Sequence, residues 1–124
     1  MRERQTQQRQ AIRKAVERAD RPLSPQEILA AAEPAAPGLG MATVYRAVKT
    51  GVAEGWLAAV EMPGAGTRYE PAGKHHHHHF ACRECGGVFE VDGCPGGIQP
   101  LTPTGFKLED HELLLYGLCR NCNT

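Results

Sequence analysis

Two Cys-x-x-Cys pairs, Cys82/Cys85 and Cys119/Cys122, stand 33 residues apart in the second half of a 124-residue chain. Each pair can grip one metal ion from a tight turn. Together they offer four thiolates, the donor set that Zn²⁺ takes as a closed tetrahedron with bonds of ~2.3 Å. An ion held by both pairs ties the start of a small domain to its end, so that binding free energy becomes folding free energy. A dithiol redox pair is the competing reading of one such motif, but it does not explain two at opposite ends of the same segment. Residues 75–124 are too few to rely on apolar burial alone and need a staple, a partner chain, or both. Gly86 and Gly117, beside the pairs, suit tight backbone turns. Cys94, in "DGCPGG", has no partner motif and reads as a turn thiol rather than a ligand.

The same segment holds all six histidines, five of them consecutive from His75 to His79. A purification tag is usually terminal, whereas this run is internal and enters the first cysteine pair without a linker. In a strand, successive side chains point to opposite faces. His75, His77 and His79 would project one way, and His76 and His78 the other. The run then presents two sets of imidazoles, not one cluster of five. Neutral imidazole is a common metal ligand, and an ordinary pKa of ~6.5 leaves it mostly deprotonated in the cytosol. Carboxylates are natural co-ligands for a borderline divalent ion. Glu70 lies just upstream, Glu90 just downstream, and His111 is the remaining histidine. A solvated polar strand is the plain alternative, but five adjacent histidines have no packing rationale.

The first half has a different texture. Thr6 is placed to cap a helix whose Ala11, Ile12, Ala15, Val16 and Ala19 form one stripe. "SPQE" combines an N-cap Ser24, Pro25 at the first helical position and Glu27 to complete a capping box. Ile28, Leu29 and Ala32 form the apolar side of that second helix. A third runs from about Met41 to Glu54, with Gly55 to end it and Val44, Val48 and Val52 facing inward. Trp56–Glu61 and Thr67–Glu70 read as a hairpin across Pro63–Gly66. Three short helices and a hairpin match a winged helix-turn-helix, whose last helix enters a major groove. Helix and hairpin order suits protein packing equally well.

Charge supports the nucleic-acid reading only through its distribution. Residues 1–60 hold nine basic and six acidic residues, and residues 61–124 hold five and eight. The positive excess sits mainly in the first 21 residues, compatible with phosphate binding or with a solvated helix face. No apolar run approaches the ~20 residues of a membrane span, and the opening residues fit neither a signal nor a transit peptide. The expectation is a cytoplasmic protein with no membrane association.

Four motifs, "RQTQQRQAI", "MATVYRAV", "TRYEPAGKHHHHHFACRECGGVFEV" and "HELLLYGLCRNC", resemble in order those of the ferric uptake regulator (Fur) family of metal-responsive repressors. The resemblance covers about residues 4–122. It implies an α+β chain: an N-terminal winged helix-turn-helix DNA-binding domain (1–70), a hinge (71–74), and a small α/β dimerisation domain (75–124) stapled by a four-cysteine zinc site. It implies a homodimer that binds an inverted repeat in double-stranded DNA when loaded with a regulatory ion, controlling genes of metal homeostasis or uptake. Carried over by motif, Thr43, Tyr45 and Arg46 would meet DNA in the major groove, and Arg4 the minor groove or phosphates. Cys82, Cys85, Cys119 and Cys122 would hold structural Zn²⁺. Glu70, His77, His79 and Glu90 would hold the regulatory ion, Fe²⁺, Mn²⁺ or Zn²⁺. His76, His78 and His111 would form a further site.

Two of the chain's departures from the pattern bear on the metal sites. Arg21-Pro22 stands where many iron- and peroxide-responsive members have His-Pro, and a guanidinium cannot ligate a cation. The segment after Glu90 is shortened to "DGCPGGIQPLTPTG", so the further site lacks its usual acidic ligand; Gln99 is near that place but is a poor substitute. A peroxide-responsive member of the same family and a metal buffer or chaperone are the alternative functions. A zinc hydrolase finds no H-E-x-x-H or comparable arrangement, so no enzyme is expected.

Overall fold

The computed structural model describes residues 2–64, 66–74, 77–94 and 97–123. They divide into two compact units, residues 1–74 and 75–124.

In the first unit, α1 (Arg2–Arg18), α2 (Pro25–Ala32) and α3 (Met41–Glu54) precede a hairpin of β1 (Leu57–Met62) and β2 (Gly66–Pro71). The hairpin is antiparallel, with Ala58 opposite Glu70, and Leu23 adds a bridge to Tyr69 on the outer side of β2. Ile12, Val16, Ile28, Val44, Val48 and Leu57 close the core between helices and hairpin. The α1 stripe holds as expected, with Ala11, Ile12 and Val16 buried and Ala15 and Ala19 packed at its margin. The α2 start is the capping box its residues specify. The Ser24 hydroxyl accepts from the Glu27 N–H at 3.1 Å, and the Glu27 carboxylate accepts from the Ser24 N–H at 2.9 Å.

Two local expectations are corrected. Thr6 lies inside α1, not at its cap, because Arg2–Gln5 are good helix formers that extend the helix toward the N-terminus. Val52 is exposed, while Val44 and Val48 are buried. A four-residue step overshoots a 3.6-residue turn, so two steps carry Val52 off the stripe. Gly51 takes the buried position instead, where an added Cβ would come within 2.9 Å of the Trp56 ring.

The second unit is a mixed three-stranded sheet in the order β4-β3-β5, from β3 (His78–Cys82), β4 (Val88–Val91) and β5 (Leu114–Gly117). β3 runs antiparallel to β4 and parallel to β5. The parallel pairing matters most, because it sets Cys82 opposite Gly117 and brings both cysteine pairs to the same end of the sheet. Gly86 makes the turn after Cys85 with φ +76°. Gly117 does not turn; it makes room for the Phe80 ring, which an added Cβ would meet at 2.9 Å. Of "FKLEDHELLLYGLC", residues Leu114–Gly117 form a strand.

Candidate metal centres and DNA-facing helix

The four sulfurs of Cys82, Cys85, Cys119 and Cys122 lie within 4.8 Å of one another. Those of Cys85 and Cys119 are 3.8 Å apart. That separation is far beyond a disulfide's ~2.05 Å, yet it equals the ~3.8 Å edge of a tetrahedron with ~2.3 Å metal–sulfur bonds. The turns aim backbone donors at the sulfurs. Cys82 Sγ accepts from the N–H groups of Cys85 at 3.5 Å and Cys119 at 3.4 Å, and Cys85 Sγ from that of Gly87 at 3.4 Å. The Cys85 and Cys119 N–H groups lower the Cys82 thiol to about 6. Cys122 is pushed up to about 12, first by its hydrogen bond with Cys119 and then by that with Cys82, because a further negative sulfur is disfavoured beside the others. A closed set of four such sulfurs needs a dication to deprotonate fully, which is the donor chemistry of structural zinc.

The histidine strand separates its imidazoles as period-two geometry requires. His77 precedes β3, and its ring meets that of His79 edge-on, with centroids 4.8 Å apart. His79 pairs with Glu90 across β3 and β4, and His77 Nε2 lies 3.9 Å from Glu90 Oε1. His78 is almost wholly buried, and its ring packs on that of His111 with centroids 5.1 Å apart. Cys94 joins this second group, its Sγ 2.9 Å from His111 Nε2. Cys94, read from the sequence as a turn thiol with no partner motif, has a partner in His111. The signal was obscure because no sequence spacing relates Cys94 to His78 or His111. His75 and His76, and with them the expected role of His76, lie outside the described residues.

In the first unit, Glu70 is buried on β2. Along α3, Tyr45 and Arg46 are exposed and Thr43 is half-buried. Arg46 Nη2 donates to Thr43 Oγ1 at 3.2 Å, which holds the guanidinium along the helix face. Arg4 is exposed on α1, its guanidinium beside Gly38. A cavity of about 340 Å³ between α1 and α3 is lined by Arg9, Arg13, Thr43 and Arg46 among others. Arg21 is committed to Glu27, 2.7 Å from its carboxylate.

The description of the ferric uptake regulator family matches residues 2–116. The ferric uptake regulation protein of Campylobacter jejuni is 32% identical over 123 residues, spanning 95% of this chain and 78% of that one. The chain belongs to the ferric uptake regulator family. As a Fur-family protein it is a metal-dependent DNA-binding transcriptional regulator. The solved ferric uptake regulator Fur of Helicobacter pylori, whose structure reveals three functional metal binding sites, superposes with a TM-score of 0.72 at 26% identity, covering 94% of this chain and 80% of that chain. A zinc-bound manganese uptake regulator superposes with a TM-score of 0.78 at 29% identity, covering 90% and 87%. The α+β architecture, with its winged helix and four-cysteine group, is that of the Fur family. No helix among the described residues is long and apolar enough to cross a membrane.

Proposed function

We propose that this Fur-family protein is a repressor of metal uptake or homeostasis genes, switched by a divalent ion at His77, His79, Glu90 and Glu70. The observation that carries the reading is the convergence of His77, His79 and Glu90, while His78 is buried with a different set of side chains. Two imidazoles and a carboxylate suit Fe²⁺, Mn²⁺ or Zn²⁺. Glu70 belongs to the other unit. Its participation is the feature that lets an ion restrict the hinge at residues 71–74 between the DNA-binding and dimerisation domains.

In this reading α3 lies in the major groove, with Tyr45, Arg46 and Thr43 toward bases and backbone and Arg4 on phosphates or the minor groove. The protein acts as a homodimer on an inverted repeat, whose half-sites one helical turn apart require a fixed ~34 Å spacing of recognition helices. Exposed Leu101, Phe106, Leu115 and Tyr116 give the second unit an apolar surface for a second copy. A DNA target implies a cytoplasmic location. Cys82, Cys85, Cys119 and Cys122 hold zinc for structure alone.

The Arg21–Glu27 pair bears on which branch of the family this is. A guanidinium occupies the place of the His ligand in many iron- and peroxide-responsive members, and it is tied to the capping box of α2. Neither peroxide sensing nor metal buffering has a specific observation in its favour.

The test is operator affinity with and without Mn²⁺, Fe²⁺ or Zn²⁺ at fixed salt, in the wild type and in H77A/H79A. An ion that couples by ~1–3 kcal/mol raises affinity about 5–150-fold, and the double variant should lose that gain while retaining its zinc and its fold. Equal affinity under all conditions would remove the switch. Tight metal binding with no DNA retardation would favour the buffer.

A further inference from the structure

We propose that Arg13 is a further DNA-binding residue, its guanidinium held by Trp56 and Glu17, as positioning residues, for one phosphate of the duplex backbone. This rests on α3 lying in the major groove. The Arg13 guanidinium lies over the Trp56 ring, 4.5 Å from its centroid. Its Nε donates to Glu17 Oε2 at 3.2 Å, one turn further along α1. Trp56 is pinned in turn: its ring packs on Gly51 of α3, where an added Cβ would meet it at 2.9 Å. Arg13 belongs to α1, yet through Trp56 it is carried at a set distance from the DNA-facing helix.

The guanidinium keeps donors for a ligand. It carries five N–H groups in a planar fork. Stacking on a ring face uses none of them, and Glu17 takes the one on Nε. Among the described residues Arg13 has no other hydrogen-bond acceptor. The Nη hydrogens remain, in the flat arrangement that matches two phosphate oxygens. The stack restrains the plane of the fork, so less freedom is lost on binding than from a solvated arginine. The side chains of Arg13 and Glu17 are 52% and 49% exposed. A surface pair of that kind adds little stability, and it leaves the guanidinium open to an incoming oxyanion.

The surroundings favour an anion. Arg13 shares the cavity of about 340 Å³ with Arg9, Thr43 and Arg46. Its lining holds three guanidiniums and one carboxylate, that of Glu54 at the last position of α3. Thr43 and Arg46 belong to the stretch of α3 read as DNA-facing, so a duplex seated there brings its backbone to the same cavity. Contacts to backbone phosphate fix the register of a protein on the duplex and carry no sequence information. Arg13 then anchors α1, while Tyr45 and Arg46 meet the bases.

The salt dependence of DNA binding tests this. The full chain, at one fixed ion loading, is measured against two probes: a duplex that the wild type enriches from a random pool, and a random-sequence duplex. Each backbone contact adds about 0.9 to the slope of log affinity against log salt, which amounts to about tenfold in affinity at ~0.1 M salt. R13Q should lose about that much on both probes, with the slope smaller by about one. R13K keeps the charge and should keep most of the slope. W56F and W56L should weaken binding severalfold in the wild type and hardly at all beside R13Q, with circular dichroism unchanged. Trp56 is the chain's one tryptophan, and its emission should shift when the duplex binds. An unchanged slope in R13Q, with Y45A still losing preference for the enriched duplex, would overturn the role of Arg13 alone. Arg13 would then be a staple between α1 and the hairpin. A Y45A protein with full preference would instead remove α3 from the groove, and the role of Arg13 with it. If inorganic phosphate alone reproduced the emission shift at matched ionic strength, the cavity would be a free-anion site and the assignment to DNA would fall.

Discussion

The two units solve the same problem with opposite materials. In residues 1–74, three helices and β1 supply Ile12, Val16, Ile28, Val44, Val48 and Leu57 to one apolar core. Among the described residues of 75–124, the buried apolar side chains are those of Cys82 and Val88, and the large buried side chain beside them is His78. Where the first unit places aliphatic carbon, the second places sulfur and imidazole. The second unit also exposes Leu101, Phe106 and Tyr116 to a greater degree than any large apolar side chain of the first. The lesson is one of division. On this division the first unit should hold its shape whatever the ion supply, and the second only when its ligands are satisfied.

The sharpest way to break this contrast is to remove a thiolate. C82S, or prolonged chelation, should collapse the β4-β3-β5 sheet and leave residues 1–74 folded. Structural zinc is worth ~10–16 kcal/mol in zinc-finger peptides, as much as the whole stability of a typical domain, ~5–15 kcal/mol. Amide exchange checks it: protection should vanish across β3, β4 and β5 and persist in α1 and α3. Retained protection in both units would mean that packing, not metal, holds the second.

The converse experiment cuts the first unit. Ile28 is fully buried in α2, and I28A should cost ~2–5 kcal/mol by lost transfer energy and the cavity left behind. Urea denaturation followed through Trp56 should show this loss unchanged by chelator or added zinc. A metal-dependent loss would show that the units do not stand on separate supports.

What the residues disclosed in advance follows the same division. Local rules carried the first unit well. Ser24-Pro25-Gln26-Glu27 specifies a capping box within four residues, and it forms with both hydrogen bonds. Failures came where one local signal outweighed another, as at Thr6, absorbed into a longer α1, and at Val52, replaced on the buried stripe by Gly51. In the second unit, the cysteine spacing announced its own cluster, because each pair is contiguous and only one closure satisfies both. The alternation of His77, His78 and His79 was legible from strand geometry. Cys94 was not, because its approach to His78 and His111 depends on the path of residues 92–113, for which no periodic pattern exists.

The smallest of the three effects sits at the Arg21–Glu27 pair of the first unit. Glu27 serves the capping box and the Arg21 pair at once. Burial alone would push its carboxyl up. The Ser24 N–H, the Arg21 hydrogen bond and charge, and the Ser24 hydroxyl outweigh that burial and hold it below the ordinary value. A carboxyl lowered by folding contributes stability that is fully present above its unfolded value, ~4.3 for glutamate, and that is lost as pH falls through the folded value. E27Q removes the charge but keeps a capping amide, so the difference from wild type should be ~1 kcal/mol or less at neutral pH, given partial exposure. That difference should hold down to about pH 5 and close toward zero in stronger acid, where the wild-type carboxyl is protonated as well. Paired urea titrations at successive pH values read it directly. A gap that widened on acidification would mean that Glu27 is protonated more readily in the folded unit than in the unfolded chain.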